Sequence, residues 1–158
     1  MRLKDKVAIV TGAGRGIGEG IVLRFAEEGA KIVANDVNAA DAENVVEQLK
    51  AKGAQAVAVA GSVAERDVVQ NLVDTAVSEF GTVDIIVNNA GITRDRILHK
   101  MSDEEWDSVI DVNLTGVFYG IQCAARVMRE KGYGKIINIS STSALGNTGQ
   151  LNYSATKA

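Results

Sequence analysis

A tyrosine and a lysine near the end of the chain have the types and the spacing needed for proton transfer. Tyr153 and Lys157 are four residues apart, so on a helix they would share one face. A neighbouring ammonium group favours the phenolate form of a tyrosine, which suits general acid or base work. A hydroxyl from Ser140 or Ser141 could stabilise a developing alkoxide. Taken alone, a tyrosine four residues before a lysine is common and usually indicates a solvated helix face.

Residues 7–18 combine an apolar strand, a glycine-rich turn and the start of a helix. The strand, residues 7–10, has no polar face, which is typical of a parallel strand covered by helices on both sides. At Gly12, Gly16 or Gly18 a side chain would keep the backbone from approaching a ligand or from packing closely. The helix N-terminus that follows has the unpaired N–H groups that bind a pyrophosphate. A purely structural turn would need the same glycines.

The pattern of the whole chain predicts an α/β fold, a Rossmann-like doubly wound parallel sheet in a three-layer αβα arrangement. Short apolar strands alternate with amphipathic helices, and the strands are predicted at residues 7–10, 31–35, 56–60, 83–87 and 135–139. Helices are predicted to begin at Asn38 and at capping boxes that open at Ser62 and Ser102. The last of these is predicted to run unbroken to Lys131, with an inner face at Trp106, Ile110, Val117, Ile121 and Ala124.

Composition narrows the classes of protein. A length of 158 residues predicts one domain, residues 1–158, and a net charge of −3 argues against a nucleic-acid surface. Cys123 has no cysteine partner, so we expect it in the core of a protein from a reducing compartment. With no apolar run of membrane-spanning length and no leader pattern, we predict a cytoplasmic protein without membrane contact. His99 and Cys123 are far apart, so no metal site is predicted.

Asparagines mark two further positions. Asn88 and Asn89 come at the carboxyl end of the fourth predicted strand, the edge of an open sheet where ligands bind, although asparagine also satisfies turn backbone. Asn113 lies between Ile110 and Val117 on the inner face of the long helix. From the residues alone, a hydrogen bond to nearby backbone is the simpler interpretation of Asn113.

Together these motifs resemble the short-chain dehydrogenase/reductases over the whole chain. Residues 83–95 and 103–106 are most similar to the 3-oxoacyl-[acyl-carrier-protein] reductases of fatty acid biosynthesis. The resemblance implies hydride transfer between NAD(P)H and a carbonyl or secondary alcohol, with a 3-oxoacyl thioester as the substrate. The motifs that carry the resemblance are Thr11-Gly12-x-x-x-Gly16-x-Gly18, Asn88-Asn89-Ala90-Gly91, Asn113, the serines after the fifth strand and Tyr153-x-x-x-Lys157.

The resemblance also implies roles for single residues. Tyr153 would exchange the proton, Lys157 would favour its phenolate while binding the nicotinamide ribose, and Asn113 would hold a water in a proton relay. Alignment from the fifth strand makes Ser141 the catalytic serine, whereas counting back from Tyr153 gives Ser140. The residues implied to line the dinucleotide are Gly12, Arg15, Gly16, Ile17, Gly18, Asp36, Val63, Asn89, Ala90, Gly91, Tyr153 and Lys157. At Ser62 the family more often has an acid or amide.

Asp36 and Arg15 favour different cofactors. Asp36 lies about 20 residues beyond the glycines, the interval at which a dinucleotide fold places an acid against the ribose hydroxyls. Its charge would repel a 2′-phosphate, whereas Arg15 could pair with one. We predict NAD, with NADP as the alternative.

The resemblance implies a sixth strand and a substrate-pocket region that this sequence lacks. We therefore expect a fragment of a longer polypeptide, with the fifth strand as an exposed edge. The resemblance implies a homo-oligomer, either a dimer or a tetramer. Four cationic residues near the end of the long helix could contact an acidic carrier protein, or they could only stabilise the negative end of the helix dipole: Arg126, Arg129, Lys131 and Lys135. A non-catalytic nucleotide-binding or assembly module is the alternative function.

Overall fold

The computed structural model describes residues 1–158 and contains one five-stranded parallel sheet. The strand order is β3-β2-β1-β4-β5, as expected for a doubly wound fold. The order reverses between β1 and β4, and a crevice forms at such a point outside the carboxyl ends of the strands. The strands are β1 (Val7–Val10), β2 (Lys31–Asp36), β3 (Ala56–Ala60), β4 (Ile85–Asn88) and β5 (Lys135–Asn138).

Helices cover both faces of the sheet. The helices are α1 (Gly16–Glu27), α2 (Ala39–Ala51), α3 (Arg66–Phe80), α4 (Asp103–Ile110), α5 (Gly116–Lys131) and α6 (Leu151–Lys157). None of them has the length and apolar character needed to cross a bilayer. Along β1, Val7 and Ile9 pack on one face with residues of α3 and α5, whereas Ala8 and Val10 pack on the other face with residues of α1 and α2. This alternation explains why β1 has no polar face.

Two of the three predicted helix starts are confirmed. Asn38 accepts a bond from Ala40 N at 3.1 Å, and Ser102 forms the predicted capping box with Glu105. The box at Ser62 is wrong, because α3 begins only at Arg66. The Ser62 hydroxyl instead accepts from Ala64 N at 3.2 Å, which closes a local turn before the helix.

The predicted long helix is interrupted. Between α4 and α5 the chain makes a π-helical turn, Asp111–Thr115, which holds one extra residue per turn and so rotates α5 relative to α4. One regular stripe therefore cannot describe both helices, and Trp106 is 37% exposed instead of buried. The inner face is formed by Val109, Cys123, Ala124 and Met128. Cys123 is a core residue as expected, and burial raises the pKa of its thiol.

Strand β5 is an open edge. It pairs with β4 on one side only, and all four of its residues are exposed. The expected exposed edge is confirmed.

A buried carboxylate ties the amino ends of the central strands to α5. Asp84 precedes β4, and its Oδ2 accepts from Val7 N at 3.0 Å while its Oδ1 accepts from Lys131 Nζ at 2.6 Å. Burial opposes ionisation of Asp84. The bonds from Lys131 and Val7, with the charges of Lys131 and Lys6, outweigh burial and hold the pKa of Asp84 below its ordinary value. Lys131 is therefore already engaged within the chain.

We expect Lys131→Met to lower the free energy of unfolding by about 2 kcal/mol at neutral pH, because it leaves the buried carboxylate with only Lys6, 3.9 Å away, as a charged partner. A carboxyl with a lowered folded-state pKa stabilises the chain above its ordinary pKa, and this contribution is lost as the pH falls through the folded value. The difference from the wild type should therefore shrink in acid. Urea unfolding at neutral and acid pH measures it. The exposed Lys135→Met is the control, and an equal loss there would contradict the assignment.

Candidate active site

A cleft of about 500 Å³ opens at the carboxyl ends of β1, β2 and β4. Ten of the residues predicted to line a dinucleotide are in its wall: Gly12, Arg15, Gly16, Ile17, Gly18, Asp36, Val63, Asn89, Ala90 and Gly91. Sequence reasoning did not place Asn35, Val37, Gly61, Ile92 and Val112 there, and it left Ser62 in doubt. Most of these residues are next in sequence to a predicted site residue, and that neighbouring position was the signal that could have identified them.

The glycine turn is closely packed against its own chain and leaves the start of α1 open. A Cβ at Gly12 would lie 2.9 Å from Ala90 Cα, and a Cβ at Gly18 would overlap the Gly12 carbonyl oxygen. Gly16 has a φ of +59° and faces open space, so glycine is needed there for its backbone conformation. Helix α1 begins at Gly16 with no side-chain cap, which leaves its first N–H groups free to bind an anion.

Asn89 and Thr11 hold this turn against β4. Asn89 Nδ2 donates to the carbonyls of Thr11 and Gly12 at 2.9 and 3.0 Å. Thr11 Oγ1 accepts from Asn89 N and Ala90 N, both at 3.1 Å. The Asn89 amide nitrogen is thus used within the protein, and its contribution to the cleft is to fix the shape of the wall.

Asp36 is fixed at the mouth of the cleft. Its Oδ2 accepts from Gly14 N at 3.0 Å and its Oδ1 from Asn38 N at 3.1 Å. Two bonds to backbone hold the carboxylate in one place, so it cannot swing away from a ligand group that approaches the end of β2. Arg15 is exposed and has no acidic partner.

The π-helical turn directs Asn113 inward, where the residue is 1% exposed. Its Oδ1 accepts from Ile92 N at 2.8 Å, and its Nδ2 donates to Ile92 O at 2.9 Å and to Thr156 Oγ1 at 3.3 Å. The side-chain amide thus joins the loop after β4 to helix α6. Both amide protons of Asn113 are donated to groups of the chain, and one of the two acceptors is backbone, as the simpler interpretation predicted.

Helix α6 has Tyr153 and Lys157 on one face. Lys157 is 8% exposed, and its Nζ donates to Ile139 O at 2.8 Å and lies 5.7 Å from the centre of the Tyr153 ring. Burial lowers the pKa of the Lys157 ammonium group. A Cβ built on Gly91 would be 3.7 Å from Lys157 Nζ and 3.3 Å from Asn113 Oδ1, so both groups reach the wall of the cleft.

The two candidate serines have different partners. Ser140 Oγ donates to the Lys157 carbonyl at 2.6 Å, which uses its proton. Ser141 Oγ accepts from Ser143 N at 3.2 Å, and its own proton has no acceptor in the chain.

The parallel sheet and the glycine-lined cleft at its switch point define a doubly wound α/β protein of the Rossmann type. A family profile described as short chain dehydrogenase matches residues 6–158. The chain belongs to the short chain dehydrogenase family.

Curated proteins and solved structures agree with this assignment. The chain is 50% identical over 156 residues to the 3-oxoacyl-[acyl-carrier-protein] reductase FabG of Staphylococcus epidermidis, covering 98% of this chain and 64% of the relative. The 3-oxoacyl-[acyl-carrier-protein] reductase of Synechocystis is 46% identical, with 99% and 64% covered. The chain thus spans about 64% of the length of the curated relatives that it matches.

Two solved structures have the same fold. A short chain dehydrogenase from Mycobacterium avium superposes with a TM-score of 0.94 at 43% identity, with 99% of this chain and 60% of that chain covered. An NAD⁺-bound xylitol dehydrogenase superposes with a TM-score of 0.95 at 31% identity, with 99% and 61% covered.

We expect Gly18→Ala to lower the free energy of unfolding by about 2 kcal/mol, because its Cβ would overlap the Gly12 carbonyl. Gly20→Ala, in the same helix with open space around it, should raise that free energy by about 0.5–1 kcal/mol. Urea unfolding measures both changes. A Gly18→Ala chain as stable as the Gly20→Ala chain would show that the turn is not closely packed.

Proposed function

We propose that the protein is an oxidoreductase that transfers a hydride between NAD(P)H and a carbonyl or secondary alcohol. The observation that carries the proposal is the meeting at Gly91 of a glycine-lined cleft with the buried ammonium group of Lys157, four residues from Tyr153. The cleft offers a place for a dinucleotide, and α6 offers a group that exchanges protons beside it.

The residues of the cleft fit a nicotinamide dinucleotide. Gly12 and Gly18 let the end of β1, the start of α1 and the β4 loop pack closely around the turn, and the uncapped start of α1 suits a pyrophosphate. When bound, this cofactor supplies or accepts the hydride. The proposed lining is the set predicted from the sequence, and Tyr153 and Lys157 approach it from α6.

In the proposed reduction, Tyr153 gives its proton to the carbonyl oxygen of the substrate, and it takes one from the alcohol in the reverse direction. Lys157 favours the phenolate that remains, because its ammonium group is held nearby by Ile139 O. We assign the substrate-binding hydroxyl to Ser141, because the Ser140 proton is already donated to Lys157 O. Asn113 is also part of the proposed site. Its amide braces α6, and we propose that it also holds a water of the proton relay, as the family resemblance implies.

We propose NAD as the cofactor, with NADP as the alternative. Asp36 cannot turn away from a 2′-phosphate because two backbone N–H groups hold its carboxylate. Arg15 is free of acidic partners, and it would be the residue to accept a phosphate if NADP were bound.

A 3-oxoacyl thioester is the substrate that the curated relatives suggest, since both are named as reductases of carrier-linked 3-oxoacyl groups. For an acidic carrier protein, Arg126, Arg129 and Lys135 remain as candidate contacts, whereas Lys131 is occupied by Asp84. We also propose a homo-oligomer, either a dimer or a tetramer. Leu114 and Phe118, four residues apart, are 49% and 51% exposed and could be covered by another copy.

Replacing Tyr153 by phenylalanine tests the activity. We expect Tyr153→Phe to slow NADH oxidation with an acetoacetyl thioester by at least about 100-fold, because general acid catalysis is lost. Loss of NADH absorbance measures the rate, and NADH binding should be unchanged. Tyr133→Phe is the matched control, since Lys6 Nζ lies 4.1 Å from that ring centre and would keep its contact with phenylalanine. If the wild-type chain binds the nucleotide but does not convert the substrate, the result would instead favour a non-catalytic nucleotide-binding or assembly module.

A separate measurement tests the choice of cofactor. Asp36→Asn should tighten NADPH binding by about tenfold, because the charge that repels the 2′-phosphate is removed. Titration of both nucleotides measures this, and Asp107→Asn, an exposed change of the same kind on α4, should leave both affinities as they are. If the wild-type chain binds NADPH more tightly than NADH, the assignment to NAD is wrong.

A further inference from the structure

Helix α6 is too short to fix its own direction. It has seven residues, Leu151–Lys157, and an isolated helix of that length is not stable in water. Lys157 reaches the cleft wall at Gly91, and Tyr153 lies one turn before it on the same face. Asn152 and Thr156 lie on the neighbouring face, since successive residues of a helix differ by about 100°. Whatever holds the second face also sets where the first face points.

Asn152 holds that second face. It is fully buried, at 0% exposure. Its Nδ2 donates to the carbonyls of Arg94 and Glu105, both at 3.0 Å, and its Oδ1 accepts from Tyr153 N at 2.8 Å. Both amide protons and the amide oxygen are therefore used.

These bonds join three separate parts of the chain. Arg94 lies in the loop after β4, Glu105 lies in α4, and Asn152 itself lies in the first turn of α6. One turn further along, Thr156 Oγ1 accepts from Asn113 Nδ2 at 3.3 Å, which is the weaker of the two braces on this face by length. The stronger brace is made by Asn152, the residue directly before Tyr153.

We propose that Asn152 is a positioning residue, whose amide fixes the rotation of α6 about its axis and thereby places the Tyr153 phenol in the cleft. Its effect on turnover rests on the proposed function. Its effect on the helix does not, because the two bonds to Arg94 O and Glu105 O tie α6 to other segments whether or not a substrate is converted. The residues around the glycine turn and Asp36 belong to β1, β2, α1 and the segments that join them, so a change at Asn152 should affect nucleotide binding only through Tyr153 and Lys157.

Asn152→Asp tests the inference, because aspartate has the same shape and keeps the acceptor for Tyr153 N while its carboxyl cannot make both donations. We expect kcat with NADH and an acetoacetyl thioester to fall by roughly 100-fold, as for a catalytic group moved by about 1 Å, with KM for NADH within about twofold. Hydrogen exchange should speed up in α6 and stay slow in β1 and β4. Asn44→Asp is the matched control, since Asn44 is exposed and lies in α2.

Equal kcat in the Asn152→Asp and wild-type chains, or exchange that rises to the same degree in β1, β4 and α6, would overturn the inference. If Asn152→Asp does not fold, Asn152→Ser, which keeps one donor and adds no charge, replaces it with the same criteria. If the wild-type chain binds NADH without turnover, the proposed function fails and exchange alone decides. Faster exchange limited to α6 then supports the positioning role, and unchanged exchange in α6 overturns it.

Discussion

The close contact between the Gly12 carbonyl and Gly18 is the constraint on which the rest of the site depends. It brings the start of α1 against the end of β1, so that free N–H groups point into the cleft. Asn89 and Thr11 then fix this turn to the end of β4 through side-chain bonds to backbone. The wall of the cleft is therefore formed before any ligand arrives, because the Asn89 and Thr11 side chains that fix it already have partners in the protein.

Hydrogen bonds from buried amides join a second group of segments next to this wall. The β4 loop, the π-helical turn and α6 are joined by the buried amides of Asn113 and Asn152, and Ser140 adds a bond at the end of α6. Buried amides suit this role, because one side chain can both donate and accept and so can join two chain segments without introducing charge. The proposed chemistry takes place at Gly91, where these segments meet the cleft.

Much of this arrangement could be predicted from local pattern. The strands follow from apolar runs, and Asn38 and Ser102 follow from capping chemistry, since both are decided within a few residues. The capping box predicted at Ser62 was wrong, because the Ser62 hydroxyl bonds within a turn that ends just before the helix. The π-helical turn and the partners of Ser140 and Asn152 could not be predicted, because they depend on segments that are distant in sequence and meet only in the folded chain.

The π-helical turn also sets how this region can change its length. A helix that gains one residue in a single turn must rotate everything beyond that turn by about 100°. Losing a residue from Asp111–Thr115 would return α5 to the register of α4 and move Cys123 and Ala124 off the sheet. Variation here is thus confined to exchanges of side chain, whereas exposed loops elsewhere can lengthen at little entropic cost.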